Sequence, residues 1–346
     1  MIQLTERAGR TTWINGYEYL FFSGYSYLGL GLLPQFVAWV TEGLQKYGVV
    51  YPSSRVSNTP LRLYEEMEAA LAAFAGTEAA ACFSSGFLSA RTAVETVAQS
   101  MTVYALPHTH PASAALQGVQ TLEPGISWDA FLEQRAKAGE FRFALAADSI
   151  NPTPGHINDF SFLTQTDPRF EIVLLVDDSH GIGWLGNAGT GIRYLLNLPP
   201  HVELILHFSL SKAFHLNGGA VCASAKWTEK IKRHVNFATS TPFMPALAYA
   251  WLQSRNLCLQ QRGLLLQNIG YLQNRFANTT FVTNEGTPVF VVHKKALEPY
   301  LLQQHVIISS FSYPHPNREP VNRVVVNALH TKSDLEKLAN LIIEFE

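Results

Sequence analysis

No apolar run in this 346-residue chain approaches the ~20 residues that a membrane-spanning helix needs. The opening stretch, MIQLTERAGRTTWING, lacks the apolar segment of a secretory signal, so a cytoplasmic protein is expected. Cysteine is scarce. Cys82, Cys222 and Cys258 lie far apart, without metal-ligand spacing, and read as small buried hydrophobes. Basic residues never gather into a block, and 25 Lys and Arg against 27 Asp and Glu leave a net charge of −2. That balance gives no footprint for a phosphate backbone, which excludes nucleic acid as a partner. Charge itself is thin, at 15% of residues, below what a fully solvated surface carries. Some of the surface is therefore expected to be covered, most simply by a second copy of the chain. Internal repeats and low-complexity linkers are absent too.

Apolar side chains, by contrast, make up 47% of the chain, enough for a large core and a smaller one beside it. Leu63, Met67, Leu71 and Phe74 recur at helical steps. Residues 172–176 form a short, uninterrupted apolar run, as in a strand buried on both faces. Residues 202–208 and 219–223 are further strand candidates. Helices and buried strands alternate from about residue 35 to 245, which predicts an α/β domain with a mostly parallel sheet. Beyond Pro242 and Pro245 the pattern changes to short strands at 289–292, 306–308 and 324–326 between helical stretches. A final helix is expected to open on a capping box of Ser333 and Glu336 and to turn Leu335, Leu338, Ile342 and Phe345 inward. The expected division is an N-terminal segment, 1–40, packed on the small domain; a large ligand-binding domain, 41–245; and a small α+β domain, 246–346.

Three segments carry the chemistry. Asp177-Asp178-Ser179-His180 follows the apolar run directly. Ser209-Leu210-Ser211-Lys212 follows the next strand candidate. Ser84-Ser85-Gly86-Phe87 follows Ala80-Ala81-Cys82-Phe83 and leads into a helix. Open α/β sheets bind ligands at the carboxyl ends of their strands. A lysine there, against an apolar wall, has its charged form disfavoured and becomes a nucleophile toward a carbonyl. An aldehyde cofactor with a pyridine ring also needs a carboxylate that keeps the ring nitrogen protonated, so that the ring can accept electrons. It needs donors for its phosphate as well. Ser85, Gly86 and Phe87 offer backbone N–H groups at a helix N-terminus, and Ser209 offers a hydroxyl beside the lysine. Taken singly, a buried lysine is more often salt-bridged, an aspartate after a strand is often a cap, and Ser-Gly before a helix is usually a turn. It is their order and strand context together that point to pyridoxal phosphate.

The sequence resembles the α-oxoamine synthase family of fold-type-I pyridoxal-phosphate enzymes from about Tyr17 to Thr331. The likeness is densest in VDDSHGIGWLGNAGTG, residues 176–191. FSLSKAFHLNGGAV, FAGTEAAACFSSGF, Tyr27-Leu28-Gly29-Leu30 and the closing Arg323…Ala328-Leu329-His330-Thr331 support it in the same order. The resemblance implies that Lys212 forms the Schiff base and that Asp177 pairs with the ring nitrogen. It implies that His180 binds the ring's phenolic oxygen and that His108 stacks on the ring. Ser85, Gly86, Phe87 and Ser209 are implied phosphate ligands, with Thr241 reaching the phosphate from the other subunit of a homodimer. Arg323 is implied for the substrate carboxylate, with Tyr25 near the same pocket and Arg318 as a nearby competitor. The implied reaction joins an amino acid to an acyl-CoA thioester with loss of carbon dioxide, giving an α-amino ketone, with alanine and a pimeloyl thioester as the first expectation.

The chain departs from the family pattern where substrates bind. Tyr25 stands for the family's Asn. VYPSSR at 50–55 replaces a Gly-Ser-Gly-Gly-Ser-Arg loop, and Tyr64 replaces the His that follows it. PTPGH at 152–156 replaces Ser-Met-Asp-Gly-Asp. These changes leave two alternatives open: another reaction on the same cofactor, such as an aminotransferase, or a cofactor-binding homologue that does not use acyl-CoA. Gly181-Ile182-Gly183-Trp184-Leu185-Gly186 also matches the dinucleotide fingerprint. Four residues separate it from the strand, however, and neither a helix nor a distal acidic residue follows. His108 and His110 could be two metal ligands, but no third is evident.

Overall fold

The structure, a computed structural model, describes residues 3–151, 155–312 and 320–345. Its strands, in chain order, begin with the hairpin β1 (Thr11–Ile14) and β2 (Tyr17–Phe22). There follow β3 (Ala79–Phe83), β4 (Thr102–Ala105), β5 (Val119–Thr121) and β6 (Arg142–Asp148). A two-residue pair, β7 (Ile150–Asn151) and β8 (His156–Ile157), precedes β9 (Glu171–Asp177), β10 (Val202–Ser209) and β11 (Gly219–Ala223). The last four are β12 (Val282–Thr283), β13 (Val289–Val292), β14 (Val306–Phe311) and β15 (Val321–Val325).

Seven strands form one sheet in the order β3-β11-β10-β9-β6-β4-β5. From β10 to β5 every pairing is parallel, and β11 runs antiparallel to both its neighbours. Side chains on β9 alternate between two cores, because successive residues of a strand face opposite ways. Ile172, Leu174 and Val176 join the larger core, whereas Val173 and Leu175 pack under the helices Gly86–Ala98 and Ala225–Arg233 with Val94, Val97, Trp227 and Ile231. Burial on both faces explains why the run reads as uninterrupted rather than alternating. Cys82 and Cys222 are buried in the larger core and Cys258 is half-buried beside it.

A second sheet has the order β1-β2-β14-β15-β13-β12. The N-terminal hairpin enters it through a parallel pairing of β2 with β14. The helix Lys332–Glu344 packs Leu335, Leu338 and Ile342 into the core. Its capping box is formed by Thr331 and Asp334, two residues ahead of the expected Ser333 and Glu336. Both pairs fit the spacing of a capping box. Asp334 also grips Arg10 with both carboxylate oxygens, at 2.6 and 2.9 Å, and that contact fixes where the helix begins.

A buried carboxylate ties the 50–60 loop to the large sheet. Glu68 accepts from Arg55 at 2.8 Å, from the Cys82 backbone N–H at 3.0 Å and from Lys232 at 2.7 Å. Among the described residues, no helix is long and apolar enough to cross a membrane.

Candidate active site

The parallel register aligns the carboxyl ends of three neighbouring strands. Asp148 on β6 is paired with Asp177 on β9, and Asp177 with His207 on β10. Residues in register share a face, so the three side chains form one polar row across the sheet. Burial alone would raise the Asp177 carboxyl. His207, Lys212 and the Ser179 N–H, which donates to Oδ1 at 2.9 Å, outweigh burial and hold it ionised below the usual carboxylate range. Asp148 goes the other way. Burial and the neighbouring Asp177 charge push it up, although it accepts the His110 backbone N–H on both oxygens at 3.1 and 3.2 Å. Two carboxylates side by side cannot both ionise cheaply, and the one with the stronger set of stabilising partners keeps the charge.

Lys212 follows β10 through the turn Ser209-Leu210-Ser211. Burial lowers its amine pKa, and Asp177 and Asp148 pull it back up only in part. An amine so placed is a better nucleophile than a solvated lysine. Beside it, Ser209 Oγ lies 2.7 Å from Ser211 Oγ, and the Ser209 N–H donates to Ser179 Oγ at 2.8 Å. The helix Gly86–Ala98 starts against this turn, with Ser85 as its cap accepting from the Leu88 N–H at 3.1 Å. A methyl group on Gly86 would lie 2.4 Å from Ser209 Cβ, so only glycine permits this approach. Phe87 is exposed next to it. Free N–H groups at a helix start, with a serine hydroxyl at contact distance, form an anion cradle within reach of Lys212.

Next to the row, the segment that follows β2 meets the segment that follows β9. The buried Tyr27 hydroxyl is 2.8 Å from His180 Nδ1, and the Trp184 indole donates to the His180 carbonyl at 2.6 Å. Burial, Lys212 and Arg323 push the His180 imidazole well below its ordinary range, so it is neutral at pH 7. Burial keeps the Tyr27 phenol protonated, against the pull of Arg323. The hydrogen bond between the Tyr27 phenol and Nδ1 thus joins two neutral groups. The field of Arg323 at both groups places this arginine, from β15, at the rim of the same cluster, with its guanidinium 4.3 Å from the Phe311 ring centre. Tyr25 is half exposed beside Tyr27. Thr241 is exposed. Arg318 and most of the 152–156 loop lie outside the described residues.

His110 feels the charges of Asp177 and Lys212, and it caps the short helix Pro111–Ala114. His108, two residues earlier, sits in a left-handed turn with φ 68°, and both histidines are exposed. The site also gathers Asp148, Tyr27 and His207, which sequence reasoning had not singled out. Asp178, adjacent to Asp177, is wholly buried and holds the glycine-rich segment by accepting the Ile192 N–H at 3.0 Å. Short 3-10 turns follow those glycines, Asn187–Gly189 and Gly191–Leu195, where a dinucleotide site would need an α-helix.

Residues 22–342 match the aminotransferase class I and II family. An 8-amino-7-oxononanoate synthase of Nitrosomonas eutropha is 32% identical over 277 residues, covering 76% of this chain and 70% of that protein. One of Lysinibacillus sphaericus is 26% identical over 350 residues, covering 95% and 89%. A serine palmitoyltransferase from S. paucimobilis, solved with a pyridoxal-phosphate adduct, superposes with a TM-score of 0.85 at 18% identity over 99% of this chain and 91% of that one. The chain belongs to the aminotransferase class I and II family and is, within it, a pyridoxal-phosphate-dependent transferase of the α-oxoamine synthase type. The site fits that cofactor. A depressed lysine amine stands beside an ionised, buried aspartate, and the cradle at Gly86 leaves no room for a side chain.

Proposed function

We propose that this protein joins an amino acid to an acyl-CoA thioester, releasing carbon dioxide and free CoA and leaving an α-amino ketone. The preferred pair is alanine with a pimeloyl thioester, the chemistry of an 8-amino-7-oxononanoate synthase in biotin formation. The observation that carries this reading is the placement of Lys212, Asp177 and His180 at the ends of adjacent strands, joined to the relatives' shared name. Pyridoxal phosphate, when bound, supplies a ring that accepts the electron pair left at the substrate's α-carbon. Lys212 holds the cofactor, yields it to the amino acid and then takes the α-proton. Asp177 keeps a proton on the ring nitrogen, and His180 hydrogen-bonds the phenolic oxygen. Ser85, Gly86, Phe87 and Ser209 bind the phosphate. His110 takes the stacking role first given to His108, since it is the histidine in the field of Asp177 and Lys212.

In the same reading Arg323 grips the substrate carboxylate with a planar pair of hydrogen bonds, and Tyr25 shapes the rim of its pocket. The protein acts in the cytoplasm as a homodimer in which Thr241 completes the partner's phosphate site. The chain divides into an N-terminal segment, 1–40, a large domain, 41–245, and a small domain, 246–346. A screen of amino acids against acyl-CoA thioesters, scored by thiol release, tests the proposal. Thiol release with alanine and pimeloyl-CoA supports it. Cofactor turnover with amino acids but no thiol release from any thioester would refute it in favour of another reaction on the same cofactor.

A further inference from the structure

His207 has no place in the chemistry assigned above, yet it is among the most deeply buried polar side chains in the protein, at 1% exposure. One ring nitrogen, Nε2, lies 3.2 Å from the hydroxyl of Ser113, itself wholly buried. The other, Nδ1, has no hydrogen-bond partner among the described residues. It sits 3.9 Å from Oδ2 of Asp177, too far for a hydrogen bond and close enough for a dipole to act on a charge. Leaving a buried imidazole nitrogen without a partner is costly, because its hydration is lost and not replaced. Strand β10 could hold an apolar residue here at no such cost, since Ile205, two residues earlier on the same face, is fully buried. Ser113 belongs to the helix Pro111–Ala114, whose cap, His110, is fastened to Asp148 at the other end of the row. One short segment is thus clipped to both outer members of the row, with Asp177 in the middle.

We propose that His207 is a positioning residue for the cofactor, a buried imidazole that takes the Ser113 hydroxyl on Nε2 and turns its Nδ1–H dipole toward Asp177. This inference rests on the cofactor reading given above. The ring is neutral, because burial disfavours its charged form, so it acts through its dipole and its shape. The charged and titratable groups that face it are Asp177 on β9, His110 ahead of the short helix and Lys212 beyond β10, with Asp148 one strand further along the row. The Nδ1–H dipole favours the ionised carboxylate. The proton between Asp177 and the ring nitrogen then stays with the ring, and the Lys212 nitrogen at the far end of the conjugated system loses its own proton more readily. Ser113 and His207 together also seat the segment that carries His110.

Two substitutions separate the arms of the ring. In His207→Asn the amide reaches the position of Nδ1 but falls short of Ser113. In His207→Gln the amide reaches the position of Nε2 and leaves Asp177 without a donor. His207→Leu removes both contacts. The measurement is a pH titration of the absorbance of the cofactor bound to Lys212 in each purified holoprotein, with the rate of cofactor loss on dilution as a second readout. The Gln and Leu variants should titrate about one pH unit above the wild type, the scale of losing one favourable neighbour. The Asn variant should titrate with the wild type but lose cofactor faster, and Ser113→Ala should behave as Asn does. Gln and Leu titrating with the wild type, or Asn shifting as far as Leu, would overturn the proposal while leaving the cofactor assignment intact. A wild-type protein with no chromophore on Lys212 would overturn both.

Discussion

The approach of Gly86 to Ser209 can be tested by adding one methyl group. In Gly86→Ala the new carbon would lie 2.4 Å from Ser209 Cβ, 2.7 Å from its Cα and 2.9 Å from its Oγ. Two of the three obstacles sit on or next to backbone, and Gly219 packs against Gly86 from the third side, so the helix start has to move away. Overpacking of this kind costs about 1–3 kcal/mol. The displacement falls on the N–H groups that cradle the phosphate, so the cost appears in cofactor binding rather than in global stability alone. At one factor of ten per 1.4 kcal/mol, binding should weaken roughly 5- to 150-fold. The assay is an absorbance titration of apoprotein with pyridoxal phosphate, alongside thermal unfolding. The control is Gly263→Ala in the helix Arg255–Phe276, where nothing lies within 4 Å of the new carbon. That change should leave cofactor affinity alone and raise stability by about 0.5–1 kcal/mol, through helix propensity. Equal cofactor affinity in Gly86→Ala and wild type would refute the argument that this close approach builds the cradle.

Three further outcomes follow from the structure. Glu68→Gln weakens two cationic contacts to Arg55 and Lys232 in a buried pocket and should cost about 3–5 kcal/mol in denaturant unfolding; a loss under ~1 kcal/mol would mean that water reaches the site. Burial holds the His330 imidazole down to about 4, so protons prefer the unfolded chain. The stability supplied by its neutral ring is complete above the ordinary histidine value of ~6.5 and is lost as pH falls toward 4, by up to about 3 kcal/mol. In His330→Gln the pH dependence of unfolding should flatten over that window, and an unchanged slope would assign it to other groups. Arg323→Lys should weaken amino-acid binding by about 2–3 kcal/mol, read from the spectral titration of the holoprotein, without changing cofactor content; if Arg318→Lys alone loses affinity, the carboxylate site belongs to that loop.

The catalytic strands were legible because burial on both faces leaves a mark in composition. Residues 172–176 could only be an interior strand, and the Asp that ends it was conspicuous for that reason. Asp148 ends β6 in the same way, after Ala144, Leu145, Ala146 and Ala147, but alanine marks a strand weakly and the segment went unread. His207 was hidden more deeply. A histidine inside an apolar strand has no local signal, and its meaning comes from register with Asp177 and from Ser113, 94 positions away in the chain. His108 and His110 differ by two positions, and sequence spacing cannot choose between them. The two differ in the structure by the left-handed turn at His108 and the capping role of His110. The two candidate capping boxes near residue 331 posed the same kind of ambiguity, and a contact with Arg10, more than 300 residues away, resolved it.

The account stands on Lys212. The most direct measurement is reduction of the purified protein with borohydride, followed by proteolysis and mass mapping of the peptides. A Schiff base becomes a stable secondary amine on reduction, which marks the lysine that carried the cofactor. The account predicts that the yellow colour bleaches, that a pyridoxyl group appears on the peptide containing Ser209-Leu210-Ser211-Lys212, and that Lys212→Ala gives no label there. A pyridoxyl group on any other lysine, or a protein with bound cofactor that takes no label at all, would contradict it.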